Sequence, residues 1–185
     1  MSDVYLVLGF PGVGKLTVAR ALAAELERRG TVTRVVDNHY VNNPVFGVMS
    51  IDGERELPER VWALITQVRE AVLAAIEELS EADWAFVFTN FIRDDEADTV
   101  APYLARLARL AADRGGRLRV ICLTCDPAEQ ARRIALPERR ERLKSTSPAW
   151  LHSLFEQHVP YVPDGAEVVD ATSTSPDELA RALLG

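Results

Sequence analysis

Lysine is nearly missing from this 185-residue chain: two are present beside nineteen arginines. Cysteine and methionine, at two each, and histidine, at three, are almost as scarce. Two cysteines cannot build a disulfide framework. Cys122 and Cys125 form a C-x-x-C at the end of an apolar strand rather than at the start of a helix, which favours packing thiols over a redox or metal pair. No apolar run approaches the roughly 20 residues that span a bilayer, and the chain opens on the strand-like Val4 to Leu8 without a basic segment and cleavage site. We therefore expect a cytoplasmic protein with no membrane partner. Positive charge is also in deficit. The net charge of −7 argues against nucleic acid as a partner.

What is present is concentrated. One of the two lysines closes the stretch Gly9-Phe10-Pro11-Gly12-Val13-Gly14-Lys15-Leu16-Thr17, between an apolar strand and an Ala/Leu-rich helical pattern. Strand, glycine loop and helix together are the context of a phosphate-binding loop. Glycines let consecutive backbone N–H groups turn inward on an anion, the helix points its positive end at it, and an ammonium on a long stem reaches the outer phosphates. The strict pattern places Ser or Thr directly after the Lys, where its hydroxyl would meet Mg²⁺. Here Leu16 stands there and Thr17 follows.

Along the rest of the chain strands and helices alternate. Val4 to Leu8, Trp84 to Phe88 and Leu118 to Leu123 are mostly continuous apolar runs, as parallel strands covered on both faces require. Val32 to Val36, interrupted by Thr33 and Arg34, reads as an edge strand, and Val168-Val169 marks a short fifth. Leu57, Val61, Leu64, Ile65, Val68, Val72, Ile76 and Leu79 make one helical stripe ending near Ser80. Further helices are expected at about 15–29, 96–113, 127–136, 148–158 and 176–184. The order predicts a three-layer α/β fold: a five-stranded parallel sheet in one domain, with ligands beyond the carboxyl ends of the strands.

Two segments interrupt this scaffold. Residues 38–55 mix aromatic, amide and apolar groups and read as a long irregular loop after the second strand, a length more often functional than idle. From Arg132 to Lys144, six basic residues face two acidic ones, a local +4 inside a chain of net −7. Polyphosphate would explain such a cluster; a solvated helix face with i,i+3 and i,i+4 ion pairs is the alternative.

The glycine loop resembles that of the nucleoside monophosphate kinases, in which the residue after Lys is likewise often not Ser or Thr. Arg133-Ile-Ala-Leu-Pro-Glu-Arg139 resembles the start of the short lid in adenylate, shikimate and chloramphenicol kinases, placing a lid at about 133–147. Val168-Val-Asp-Ala-Thr-Ser-Thr-Ser-Pro is similar to the strand and loop around the adenine in these families. Phe86-Val-Phe-Thr-Asn-Phe-Ile-Arg93 resembles the adenylate-kinase segment ending the third strand, with Thr89 where an Asp would stand. An acidic residue ending the second strand, here Asp37, resembles shikimate and chloramphenicol kinases, whose acceptors are hydroxyls.

The resemblance implies an ATP-dependent phosphotransferase using Mg²⁺ and a small-molecule acceptor, as a monomer or homodimer. Gly12, Val13, Gly14, Lys15, Leu16 and Thr17 would cradle the phosphates, with Thr17 at most weakly near the metal, through water. Ala171 and Thr172 would flank the base. Arg133 and Arg139, with Arg142 as a further candidate, would close over the transferring group. Asp37 would serve the acceptor as base, with Asn38, His39 and Arg93 around it; a turn or cap role is the alternative for Asp37 and Asn38. A nucleoside monophosphate kinase is an alternative reading, as is a catalytically silent nucleotide-binding regulatory protein. A GTPase is disfavoured, because no Asn-Lys-x-Asp stretch exists to read guanine.

Overall fold

The computed structural model describes residues 2–49 and 57–185. Five strands, β1 (Val4–Leu8), β2 (Thr33–Val36), β3 (Ala85–Thr89), β4 (Leu118–Thr124) and β5 (Glu167–Asp170), form one sheet in the order β2-β3-β1-β4-β5. Every pairing is parallel. The apolar runs explain the middle of the sheet. Along β1, Tyr5 and Val7 face one core while Val4, Leu6 and Leu8 face the other, so no position can be polar. The shorter, more polar β2 takes one edge, and β5, with Val168 59% exposed, takes the other.

Helices α1 (Lys15–Arg28) and α7 (Pro176–Leu184) cover the first face, joined by Ile134 of α5 (Pro127–Ile134) and by Leu151 and Leu154 of α6 (Pro148–Gln157). On the second face lie α3 (Glu59–Leu79) and α4 (Ala97–Asp113), through Leu73, Ile76, Leu107 and Leu110. Cys122 is buried among these residues and Cys125 half-buried; both thiols are free, and burial pushes that of Cys122 up to about 11. Among the described residues no helix is long and apolar enough to cross a membrane.

One expectation is corrected. The segment after β2 is not an irregular loop: Asn38–Met49 is a helix, α2, despite Pro44 inside it and Gly47 near its end. Residues 50–55 of the expected loop lie outside the described residues. The helix forms because Val41 and Phe46 are buried against Ile65 of α3, with Val45, Val61 and Val68 packed around them. This burial outweighs the propensity penalty and the hydrogen bond that Pro44 cannot donate, a tertiary effect invisible to local pattern.

Candidate active site

The loop after β1 is shaped by three glycines at positive φ: Gly9 (140°), Gly12 (94°) and Gly14 (101°). Two of them also have no room for a side chain. A Cβ on Gly9 would lie 2.7 Å from the Leu123 carbonyl oxygen, and one on Gly12 would lie 2.9 Å from that of Gln130. Gln130 is itself buried and donates from Nε2 to the Pro11 carbonyl at 2.7 Å, so α5 clamps the loop from outside. Among the described residues the backbone N–H groups of Gly12, Gly14, Lys15, Leu16 and Thr17 find no acceptor, and Gly14 gives α1 no side-chain cap. Uncapped donors at a helix start, converging in a glycine loop, fit an anion.

Lys15 Nζ folds back onto the loop, donating to the carbonyls of Gly9 at 2.7 Å and Phe10 at 3.1 Å. Burial, together with the nearby Lys144 and Arg139, lowers its pKa to about 7, against the opposing pull of Asp37. Phosphate oxygens would relieve this repulsion. Leu16 supplies no oxygen, and Thr17 is exposed at the start of α1.

Asp37, at the end of β2, is buried. Its Oδ1 accepts from the Thr89 hydroxyl at 2.6 Å and its Oδ2 from Lys144 Nζ at 2.9 Å. Burial would raise its pKa, but Lys144 and the hydrogen bonds from Thr89 and Lys144 prevail and hold it below the ordinary carboxylate value. Its side chain is thus engaged away from the start of α2, although its carbonyl accepts the turn bond from the Tyr40 N–H at 2.8 Å: it ties the ends of β2 and β3 to the last residue of the arginine segment. The backbone N–H of Asn38 donates to Thr89 Oγ1 at 3.2 Å. His39 pairs through Nδ1 with Asn43 Oδ1 at 2.9 Å, and burial and Lys144 lower its pKa to about 4, leaving it neutral at physiological pH.

The arginine segment is not one helix face. It runs from the end of α5 through a 3-10 turn, Pro137–Arg142, to Leu143 in a left-handed conformation (φ 53°). Leu143 packs against the core between α2 and α3, which delivers Lys144 to Asp37. Arg133 donates to the carbonyls of Val13 at 3.3 Å and Thr172 at 2.8 Å, and pairs with Glu129 at 2.7 Å. It thereby bridges the glycine loop to the loop after β5, where Ala171 is buried and the Thr172 hydroxyl accepts from the Asp126 backbone at 2.8 Å. Arg139 donates to the Ser145 carbonyl at 2.9 Å, and burial and Arg142 lower its pKa. Arg132 pairs with Glu129 at 2.7 Å and is exposed, as a solvated face would have it. Arg142 is exposed.

Arg93, expected beside the acceptor, is engaged elsewhere. It pairs with Asp95 at 3.2 Å and Glu96 at 3.4 Å and approaches His158 Nε2 at 3.3 Å. The crevice next to Asp37 is lined instead by Asn38, Arg69, Asn90 and Tyr103 over an apolar floor including Val72 and Phe88, and holds about 10 Å³, the room of roughly one water. Sequence reasoning placed Lys144 in the basic cluster but missed its pairing with Asp37, and missed Arg69 and Tyr103 altogether. Lys144 had a legible mark: the rarity that singled out Lys15 applies equally to the second lysine.

A five-stranded parallel sheet whose first strand runs through a glycine-and-lysine cradle into a helix, with a carboxylate ending the edge strand β2, defines the three-layer P-loop NTPase fold. A model of the AAA domain family matches residues 6–148, well over half of the chain, and the chain belongs to that family. The solved structures it resembles include a sugar kinase from Janibacter sp. HTCC2649, at 17% identity and a TM-score of 0.62, covering 100% of this chain and 93% of that one. They include the APS kinase of Mycobacterium tuberculosis in complex with AMPPNP and APS, at 17% identity and a TM-score of 0.57, covering 99% and 95%. The shikimate kinase of Acinetobacter baumannii in complex with shikimate follows at 16% identity and 0.52, covering 100% and 91%. A search of curated proteins finds no match.

Proposed function

We propose that this protein transfers the γ-phosphoryl group of ATP to a hydroxyl of a small molecule. The observation that carries the reading is the convergence at one sheet edge of free backbone donors around Lys15 with the buried Asp37 carboxylate. Likeness to small-molecule kinases supports the same class. In the transfer, the acceptor oxygen bonds to the γ-phosphorus, the bond from that phosphorus to the β-γ bridging oxygen breaks, ADP leaves, and the hydroxyl proton is released.

The N–H groups of Gly12 to Thr17 and the Lys15 ammonium bind the phosphates. Arg133 and Arg139 border them, and together these groups neutralise charge that spreads over the transferring oxygens in a loose transition state. Ala171 and Thr172 border the base. Asp37, held ionised by Lys144, is too weak a base to pull hard on a hydroxyl proton, and a loose transition state asks little of a base; its role is to accept the acceptor's hydrogen bond and aim its oxygen. Leu16 has no side-chain oxygen for the metal, and the Asp37 carboxylate is already paired with the Lys144 ammonium. Mg²⁺ would be held by the phosphates and water, with Thr17 reaching it through water only, and would supply charge neutralisation.

The test is ADP release on incubation with ATP and Mg²⁺ across sugars, hydroxy acids, hydroxylated antibiotics and nucleoside monophosphates. Acceptor-dependent release that disappears in Lys15→Met supports the reading; release from no acceptor sinks it. One observation favours a silent nucleotide-binding protein: both Asp37 oxygens are already taken. That reading expects ATP binding with no acceptor-dependent turnover. Because Leu16 occupies the usual hydroxyl position, ATP should bind without Mg²⁺ within about tenfold, or about 1.4 kcal/mol, as calorimetry with and without EDTA would read.

A further inference from the structure

The crevice beside Asp37 says something about what it would hold. We infer that its ligand carries an anionic group, a carboxylate or phosphate ester, as well as a hydroxyl, with the hydroxyl toward Asp37 and the anion on Arg69. This rests on the kinase reading and narrows its acceptor.

Arg69 and Asp37 line the same crevice, one from α3 and the other from the end of β2. Among the described residues Arg69 has no ion pair, although a carboxylate follows it immediately: Glu70 is drawn, with Glu77, to Arg106 of α4. What Arg69 has is a ring. Its guanidinium lies 5.1 Å from the centroid of Tyr103, whose phenol burial holds up at about 12, so the hydroxyl stays protonated. A cation–π contact holds a guanidinium without occupying it in an ion pair, and its N–H groups are suited to two parallel bonds to a carboxylate or phosphate. Asn38 and Asn90 add donors and acceptors for further hydroxyls.

The other charged groups of this region do not compete for the role. Lys15 belongs to the phosphate loop, Lys144 is committed to Asp37, and Arg93 to Asp95 and Glu96. At about 10 Å³ the crevice admits no acceptor as it stands. Entry requires the crevice to widen while Arg69 stays on Tyr103.

The test uses acceptor pairs differing only in charge: gluconate against sorbitol, glycerate against glycerol, and glycerol phosphate against glycerol. Thermal shift is read with the phosphate loop saturated by Mg²⁺ and a non-hydrolysable ATP analogue, so that no anion scores by binding there. At least one anionic member should raise the melting temperature where its neutral partner does not, and the carboxylate and phosphate arms tell which anion fits. Arg69→Gln should weaken that ligand by about 10- to 100-fold in Kd while the shift from the ATP analogue stays as in the wild type. Arg69→Lys, which keeps the charge and loses the fork, should fall between. Equal binding of charged and neutral partners, a preference that survives Arg69→Gln, or no shift from any anionic member overturns the inference. Failure of the kinase reading looks different: the anionic ligand binds through Arg69, yet no ADP is released with ATP.

Discussion

Around Lys15 the chain holds its shape through the backbone. Gly9 and Gly12 press against the carbonyls of Leu123 and Gln130, and the candidate ligand groups are N–H donors that every residue possesses. Around Asp37 the arrangement is made of side chains: Thr89, 52 residues away, and Lys144, 107 away, each contribute one bond to a single buried carboxylate. The first construction tolerates Leu16 where a hydroxyl is usual, because its fit to an anion does not depend on that side chain. The second has no spare parts. Removing any one partner leaves another polar group buried without its bond.

The largest effect should come from the one side chain that the phosphate loop does need. Lys15→Met should lower turnover by about 10³-fold and abolish most of the thermal shift with ATP, while leaving the fold intact. An unchanged ATP shift would mean the backbone donors suffice alone. Next, Gly12→Ala strikes the backbone itself: with φ at 94° and a new Cβ 2.9 Å from the Gln130 carbonyl, it should cost about 3 kcal/mol by urea denaturation. If stability holds, the clamp by α5 is looser than the geometry says.

Asp37→Asn tests the side-chain construction. It should cut transfer by about 10²-fold and destabilise by about 2 kcal/mol, with ATP affinity nearly unchanged, since Lys144 is left facing a neutral amide. Adding Lys144→Met should restore part of that stability, and strict additivity in this cycle would show that the two do not interact in solution. The smallest effect sharpens the comparison by charge. With its pKa near 7, Lys15 is mostly neutral at pH 8, and bound phosphates favour the ammonium. ATP binding at pH 8 should therefore take up close to one proton, which vanishes below about pH 6 and in Lys15→Met. Calorimetry in buffers of different ionisation enthalpy would read it.

The same contrast explains what could be read from the sequence. The glycine loop is contiguous, and its spacing states its chemistry; the apolar runs of β1, β3 and β4 likewise show both faces covered. The Asp37 network joins positions from β2, β3 and the end of the arginine segment, and no local period connects them. Arg93 drew notice through its motif neighbourhood, but Asp95 and Glu96, two and three residues on, satisfy it first. Arg69 drew none, because on the α3 stripe it is one more charged residue until Tyr103 of α4 is folded against it. The helix α2 was hidden for a related reason: its support comes from Ile65 and Leu143, not from its own sequence.

The scarcity of lysine acquires a practical meaning once one lysine is seen folded onto the phosphate loop and the other paired with Asp37. They are the only side-chain amines in the protein. An ordinary lysine, with a pKa of 10.5, is almost wholly protonated near pH 8 and slow to acylate, whereas Lys15, lowered to about 7, is largely free amine there. Burial lowers Lys144 as well, but Asp37 holds its ammonium at 2.9 Å, so an amine-directed acylating reagent has one favoured side-chain target, inside the phosphate loop. A mass increment at Lys15 would count empty sites, and its suppression would report occupancy by any phosphate-bearing ligand without a turnover assay.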